Sequence, residues 1–329
     1  MDMRRGLEVL LAFLVISCLC APLEAELVNG FYTGICSQAE TIVTAEVLKA
    51  FLNDSGVAAG LVRMHFHDAF VRGADGSVLI DSTSNNTAEK DSPPNNPSLR
   101  GFEVIDNAKA KLEASCPGKV SCADILAFAA RDSVLLSLGL FYQVPSGRRD
   151  GRVSLASEAL ANLPPPFFNL DQLTQSFASK NFTQEEMIIL SGAHTIGRSH
   201  CGSFMNRLYT FNSTMSQDPS LNATYAEQLK LKCPNVSTSV NNTVVSMDPS
   251  TPTIFDTNYY KDLLINRGLF TSDQTLISTQ QTKSIVQTYA SSSSVFKQKF
   301  RDAFVKMGKI GVLTGDEGEI RTNCRVINS

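Results

Sequence analysis

The sequence holds four histidines, in two pairs about 130 residues apart: His65 with His67, and His194 with His200. The first pair lies in Arg63-Met64-His65-Phe66-His67-Asp68. On a helix, Arg63 and His67 stand at i and i+4 and share a face, while His65 points elsewhere. A fixed cation and a titratable imidazole aimed at one spot suit a substrate that must lose and regain a proton. The second segment, Leu190-Ser191-Gly192-Ala193-His194-Thr195-Ile196-Gly197, sets one imidazole in a mostly apolar run, a setting shared by packed core histidines and by cofactor ligands. A ligand histidine needs an acceptor for its other ring nitrogen, and Asp273 is the candidate. Oxygen-rich segments follow each pair. Asp68, Asp75 and Ser77 flank a glycine-containing turn, and Asp248, Thr251 and Asp256 form a second group. Such sets serve as ordinary turn formers or as ligands for calcium, a hard cation that takes six to eight oxygens. Neither has EF-hand spacing.

The elements that must position these groups read as helices. Capping boxes are expected at Ser37–Glu40, Thr183–Glu186 and Ser278–Gln281, where a hydroxyl and a side chain three residues on satisfy orphan N–H groups. Apolar stripes at helical period run through Val43, Val47, Leu48 and Phe51, through Phe102, Ile105, Ala108 and Leu112, and through Ile125, Ala129 and Val134. Leu170, Leu173 and Phe177 make a further stripe, and Phe296, Phe300, Phe304 and Met307 the last. Strand-like alternation is scarce. The fold class predicted is all-α, without repeats. Proline-rich breaks at 93–97 and 164–166 are too short for interdomain linkers, so one domain of two helical halves is expected, with a cofactor in the cleft between them.

Composition and processing signals set the compartment. A chain of 329 residues with 43% hydrophobic content can bury a large core. Its net charge of −3 gives no global basic field to attract nucleic acid or an anionic membrane. Arg4 and Arg5, the apolar run from Val9 to Leu19 and the small Ala25 predict a signal peptide over 1–25 and a mature domain over 26–329. Removal of that segment takes Cys18 and Cys20 and leaves Cys36, Cys116, Cys122, Cys201, Cys233 and Cys324. An even count in an exported chain implies disulfides, with 15 possible pairings. Asn53, Asn85, Asn181, Asn212, Asn222, Asn235 and Asn241 head glycosylation sequons, the last four in a Ser/Thr/Asn-rich stretch that reads as exposed loop.

Taken together, Arg63-x-His65-Phe66-His67-Asp68, Val120-Ser121-Cys122-Ala123-Asp124, Gly147-Arg148-Arg149-Asp150 and Leu190-Ser191-Gly192-x-His194-Thr195 resemble one family, the plant secretory (class III) haem peroxidases. The resemblance runs from about Phe31 to Arg325. It implies one haem b per chain, with His194 as proximal iron ligand and Asp273 accepting its other ring proton. His67 resembles the distal acid/base, Arg63 its cationic partner, Asn95 the residue that orients His67, and Phe66 a wall of the haem pocket. Two calcium ions are implied. The first would take Asp68, Asp75 and Ser77 by side chain and Val71 and Gly73 by carbonyl, with Glu89 holding a bound water. The second would take Thr195, Asp248, Thr251, Asp256 and the Ile254 carbonyl. Pro164 matches the aromatic-donor site, and Asp124 with Arg148 a buried structural ion pair. The implied disulfides are Cys36–Cys116, Cys122–Cys324 and Cys201–Cys233.

Two departures stand out: Ala69 and Ala74 occupy the positions of a further family disulfide, and Tyr142 that of the family's lone tryptophan. The function implied is hydrogen-peroxide-dependent, one-electron oxidation of small phenolic donors in cell-wall chemistry, by a monomer without nucleic-acid or membrane partners after signal cleavage. Only five residues follow Cys324, which favours the extracellular space over the vacuole. An intracellular ascorbate-type peroxidase is opposed by the leader, cysteines and sequons. A haem-free wall glycoprotein is opposed by the intact Arg63, His67, His194 and Asp273.

Overall fold

The structure, a computed structural model, describes residues 26–236 and 243–329; the expected signal peptide and the Asn241 sequon lie outside them. The described chain forms thirteen α-helices and a single pair of three-residue strands. The helices are α1 (Ala39–Asn53), α2 (Val57–Val71), α3 (Phe102–Ser115), α4 (Cys122–Leu136), α5 (Ala156–Asn162), α6 (Leu170–Ala178), α7 (Gln184–Ser191), α8 (Met205–Tyr209), α9 (Ala223–Lys232), α10 (Asn258–Leu264), α11 (Thr271–Gln274), α12 (Gln280–Ser291) and α13 (Ser293–Met307). Strand β1 (Arg198–His200) pairs antiparallel with β2 (Val244–Ser246), Ser199 opposite Val245. The all-α expectation therefore holds.

Local chemistry explains where the helices start. Thr183 and Glu186 form the expected reciprocal box at α7, and Asn169 with Gln172 forms another at α6. Ser121 caps α4 by accepting the Asp124 N–H. Two expected boxes are absent. Helix α1 begins after Gln38 with no side-chain cap, and at α12 Thr279 rather than Ser278 takes the cap by accepting the Thr282 N–H. In the first case, the chain enters α1 through a turn closed by the Cys36 carbonyl on the Ala39 N–H, which leaves Ser37 outside the capping position. The stretch expected as loop around Asn222 is partly helical, because Asn222 itself caps α9.

Helices α1, α2, α3 and α4 pack into one half, and α7, α10, α12 and α13 into the other. A continuous apolar core runs through both, and a smaller cluster lies around Cys201, Cys233, Phe204 and Leu229. Val43, Val47, Ile105, Ala108 and Leu112 are buried as their stripes require, but Leu48 is exposed and Phe51 and Phe102 only half-buried. The disulfides are Cys36–Cys116, Cys122–Cys324 and Cys201–Cys233. The second spans 202 residues and brings the carboxyl-terminal segment against the first half. There the buried Arg321 donates to the Gly76 carbonyl at 2.6 Å, and Arg325 pairs with Asp106 at 2.6 Å. Asp124 and Arg148 are buried and paired at 2.7 Å, with Tyr32 donating to the other Asp124 oxygen and Arg148 also donating to the Gly308 carbonyl.

Candidate active site

Helix α2 presents the first half of the site. Most of its residues are buried, while Arg63 and Phe66 are only partly covered, so the Ala59–Arg63–Phe66–His67 face borders the cleft. Arg63 Nε donates to His67 Nε2 at 3.1 Å, and His67 Nδ1 lies 2.5 Å from Asn95 Oδ1. An amide oxygen can only accept, so Nδ1 carries the proton and Nε2 presents a lone pair. The ring is a neutral base. Burial, and next the Arg63 charge, hold the His67 pKa well below the usual imidazole value, with the Asn95 contact opposing them. Arg63 is itself lowered to about 10 by burial, and it is fixed by Ser98 Oγ at 3.0 Å and the Pro94 carbonyl at 2.7 Å. Asn95 is in turn fixed by donating to the Glu89 carbonyl at 2.6 Å. His65 points the other way, against Phe304, and burial lowers its pKa to about 3.

His194 sits on a short 3-10 turn directly after α7. Its Nδ1 meets Asp273 Oδ1 at 2.7 Å, and Asp273 also accepts from Tyr259 Oη at 3.0 Å and the Phe270 N–H at 2.8 Å. The carboxylate is thus immobilised and fixes the ring. Among the described residues Nε2 has no partner, and 39% of the side chain is uncovered in the middle of a well-packed chain. An imidazole with one nitrogen held and the other open fits an axial metal ligand. The chain after His194 closes onto α2. Gly197 has φ +99, and a Cβ there would lie 2.9 Å from that of Ala59, so only glycine allows this approach. His200 also feels the Arg63 charge, although burial and Arg198 lower its pKa more. Phe66 packs beside His67 and stacks toward Phe177. Pro164 is half-buried in a turn whose Pro166 carbonyl accepts the Ser272 N–H, one residue from Asp273.

The first oxygen-rich group converges. Asp68 accepts the Gly76 and Val78 N–H groups and Asp75 accepts that of Ser77. Both Glu89 carboxylate oxygens and Ser77 Oγ are buried without a hydrogen-bond partner. Burial, and then the neighbouring carboxylates, push Asp68 well above the usual range and Glu89 to about 9, while burial raises Asp75. Arg321 offsets part of this from a distance, but none of the three carboxylates has a direct ion pair, and buried carboxylates in that state fit a cation site. No cluster of three or more His, Cys, Asp or Glu ligands occurs among the described residues, so hydroxyl and carbonyl oxygens would have to complete the shell. Val71 and Gly73 bracket the loop, and Lys180 Nζ donates to the Val71 carbonyl at 3.3 Å. In the second group, Thr251 Oγ1 contacts Asp248 at 3.0 Å and Asp256 at 2.9 Å, Thr195 Oγ1 contacts Asp256 at 3.1 Å, and the Ile254 N–H closes a turn on the Thr251 carbonyl. Ser98, Tyr259 and Lys180 escaped the sequence reading. Ser98 lies within reach of the proline-rich break that supplied Asn95, whereas nothing local marks the other two.

Two histidines on opposed helical halves, one a neutral base beside an arginine and the other an open ligand backed by a carboxylate, define a site of the haem-peroxidase class. The peroxidase family model matches residues 43–292. The chain is 65% identical to "Peroxidase 5" of Vitis vinifera, with 96% of each chain covered. It is 49% identical to "Peroxidase 3" of Arabidopsis thaliana over 94% of each, and 48% identical to "Peroxidase 1" of Zea mays over 98% of this chain and 89% of that one. The chain belongs to the plant class III peroxidase family. It is an enzyme that uses hydrogen peroxide to oxidise donor molecules, and the family's cofactor is haem. No helix among the described residues is long and apolar enough to cross a membrane.

Proposed function

We propose that this chain oxidises small phenolic donors one electron at a time, with haem b held between His194 and the Arg63–His67 face. The observation that carries the reading is the fixed tautomer of His67, whose Nε2 lone pair and the Arg63 guanidinium meet at one point. Bound there, haem would supply the redox chemistry by coordinating peroxide and storing its oxidising equivalents. His67 takes the proton of the incoming peroxide at Nε2 and returns it to the departing oxygen. Its depressed pKa keeps it ready as a base at neutral pH. Arg63 stabilises the negative charge that grows as the O–O bond breaks, and its two further contacts hold it in place beforehand. Asp273 fixes the His194 ring through Nδ1 and would make Nε2 a stronger electron donor to a bound haem iron.

Phe66 walls the cofactor, and donors approach at the lip formed by Pro164 and the exposed Phe167. Calcium in both oxygen-rich groups holds the two halves of the site in place. The protein acts as a secreted monomer in the cell wall, with residues 1–25 removed on export. The test is His67→Ala. The variant loses both proton removal and proton delivery, so oxidation of the cofactor by peroxide should slow beyond the ~10²–10⁴ of a single acid/base group. Stopped-flow rates within about tenfold of the native enzyme would remove His67 from the mechanism.

A further inference from the structure

We propose that Tyr259, Tyr260 and Tyr289 form a relay that carries an oxidising equivalent from His194 to the protein surface at Glu185, with Tyr289 as the terminal radical. The proposal rests on the placement of haem against His194. Starting from that ligand, the Tyr259 ring lies 5.9 Å away between centroids, Tyr260 a further 5.2 Å on, and Tyr289 5.6 Å beyond. The two later steps join one redox-active phenol ring to the next. The first and last tyrosines stand on different helices, α10 and α12, and all three are buried. At the outer end Tyr289 Oη donates to Glu185 Oε1 at 2.6 Å, and Glu185 is exposed.

The partners of the three hydroxyls decide where a radical would rest. A phenol loses its electron far more readily when its proton can leave at the same time. Tyr260 donates to the carbonyls of Ile188 and Ile189, which are poor bases, so it can pass an electron but not release a proton. Tyr259 donates to Asp273, a buried carboxylate already engaged by His194 and the Phe270 N–H. Only Tyr289 faces a carboxylate that can exchange its proton with water. Burial and Glu185 raise the pKa of Tyr289, so the phenol stays protonated until it is oxidised.

The step balances as follows. One electron leaves Tyr289 and passes through Tyr260 and Tyr259 to the peroxide-oxidised cofactor, which is reduced by one equivalent. The O–H bond of Tyr289 breaks, its proton moves to Glu185, and a neutral phenoxyl radical remains. An external phenol then returns one electron and releases its own proton to water, while Glu185 gives the stored proton back. The relay draws oxidising power away from the cofactor when donors are scarce, and the chain has no tryptophan to do this instead.

The experiment treats the holoenzyme with stoichiometric peroxide and no donor. It reads the radical by freeze-quench EPR with ring-deuterated tyrosine. A tyrosyl signal that narrows on deuteration is expected. Tyr289→Phe should lose most of that signal and survive fewer peroxide turnovers without donor, while its cofactor is oxidised at the native rate. Glu185→Gln should reduce the signal with Tyr289 intact, and Tyr260→Phe should do so by breaking the middle step. Normal cofactor oxidation with an undiminished signal in Tyr289→Phe, or loss of the signal in Tyr142→Phe, would overturn the relay. Failure of peroxide to oxidise the cofactor of the native protein would overturn the site assignment and the relay together.

Discussion

Asn95 touches no substrate, yet it decides which nitrogen of His67 is the base. Its Oδ1 accepts from Nδ1 at 2.5 Å, and Asn95 is buried. Asn95→Ala leaves a buried N–H without an acceptor, at a cost of about 1–3 kcal/mol, and allows the tautomer in which Nε2 is protonated and useless as a base. At about 1.4 kcal/mol per tenfold, oxidation of the cofactor by peroxide should slow by roughly 10–100-fold. Asn95→Asp keeps an acceptor but adds a negative charge. In the native site His67 is held well below its usual pKa, so the base stays neutral until the pH falls far into the acid range. An adjacent carboxylate favours the imidazolium and raises that pKa, which moves the acid limb of the rate profile to higher pH. Activity near pH 6 should therefore fall first and recover on the alkaline side. Stopped-flow rates against pH for both variants, with calcium content measured because Asn95 also holds the Glu89 carbonyl, make the check. An Asn95→Ala rate within a factor of about two, with the acid limb unmoved, would refute the tautomer argument.

Ala69 and Ala74 are buried beside the Asp68–Asp75 loop, where a bridge would pre-order the cation site. Chelator should lower activity at smaller doses in the native chain than in Ala69→Cys/Ala74→Cys, and identical titrations with the bridge confirmed by mass would disprove this. With the Val71 carbonyl as a proposed calcium ligand, the Lys180 ammonium that donates to it would compete, so Lys180→Met should tighten calcium binding by about 2–5-fold, a half-buried charge effect of under ~1 kcal/mol. Calorimetric affinities that are equal or weaker would exclude that competition. Asp124→Ala strands the buried Arg148 and should cost about 3–5 kcal/mol of unfolding free energy, whereas a loss below about 1 kcal/mol would show that the Gly308 carbonyl alone satisfies the arginine.

Helical periodicity alone showed the architecture, because buried stripes such as Val43–Val47 and Ile105–Leu112 repeat at the helix period. Cap positions were less legible. Ser278 and Thr279 both carry hydroxyls, and which one faces the open N–H groups depends on how the chain enters α12. The shared face of Arg63 and His67 followed from i, i+4 spacing. Asn95 could be assigned only through resemblance, since its loop lies 28 residues from His67 and no local rule predicts where such a loop docks. Tyr259 and Lys180 were not legible at all, because their partners are 14 and 109 residues away and no motif marks them. The cation loops were ambiguous as sequence because turn-forming and metal-binding aspartates look alike. The buried, unpartnered oxygens of Glu89 and Ser77 are what favours a cation at the first loop, and they depend on packing.

The clasp made by Cys122–Cys324 has a consequence for the order in which this molecule becomes competent. Closing a loop of this length removes about 5 kcal/mol of freedom from the unfolded chain, but the benefit arrives only with the last few residues. The helices on the His194 side are complete by Met307, before Arg321 reaches Gly76 and Arg325 reaches Asp106. During synthesis, therefore, the cofactor side can be finished while the peroxide side still lacks its fastening. A molecule truncated before Arg321 would carry the same defect permanently. It would keep the helices around His194 and lose the fastening of the Arg63–His67 half, so a truncation at the far end of the chain should register as a weakened response to peroxide.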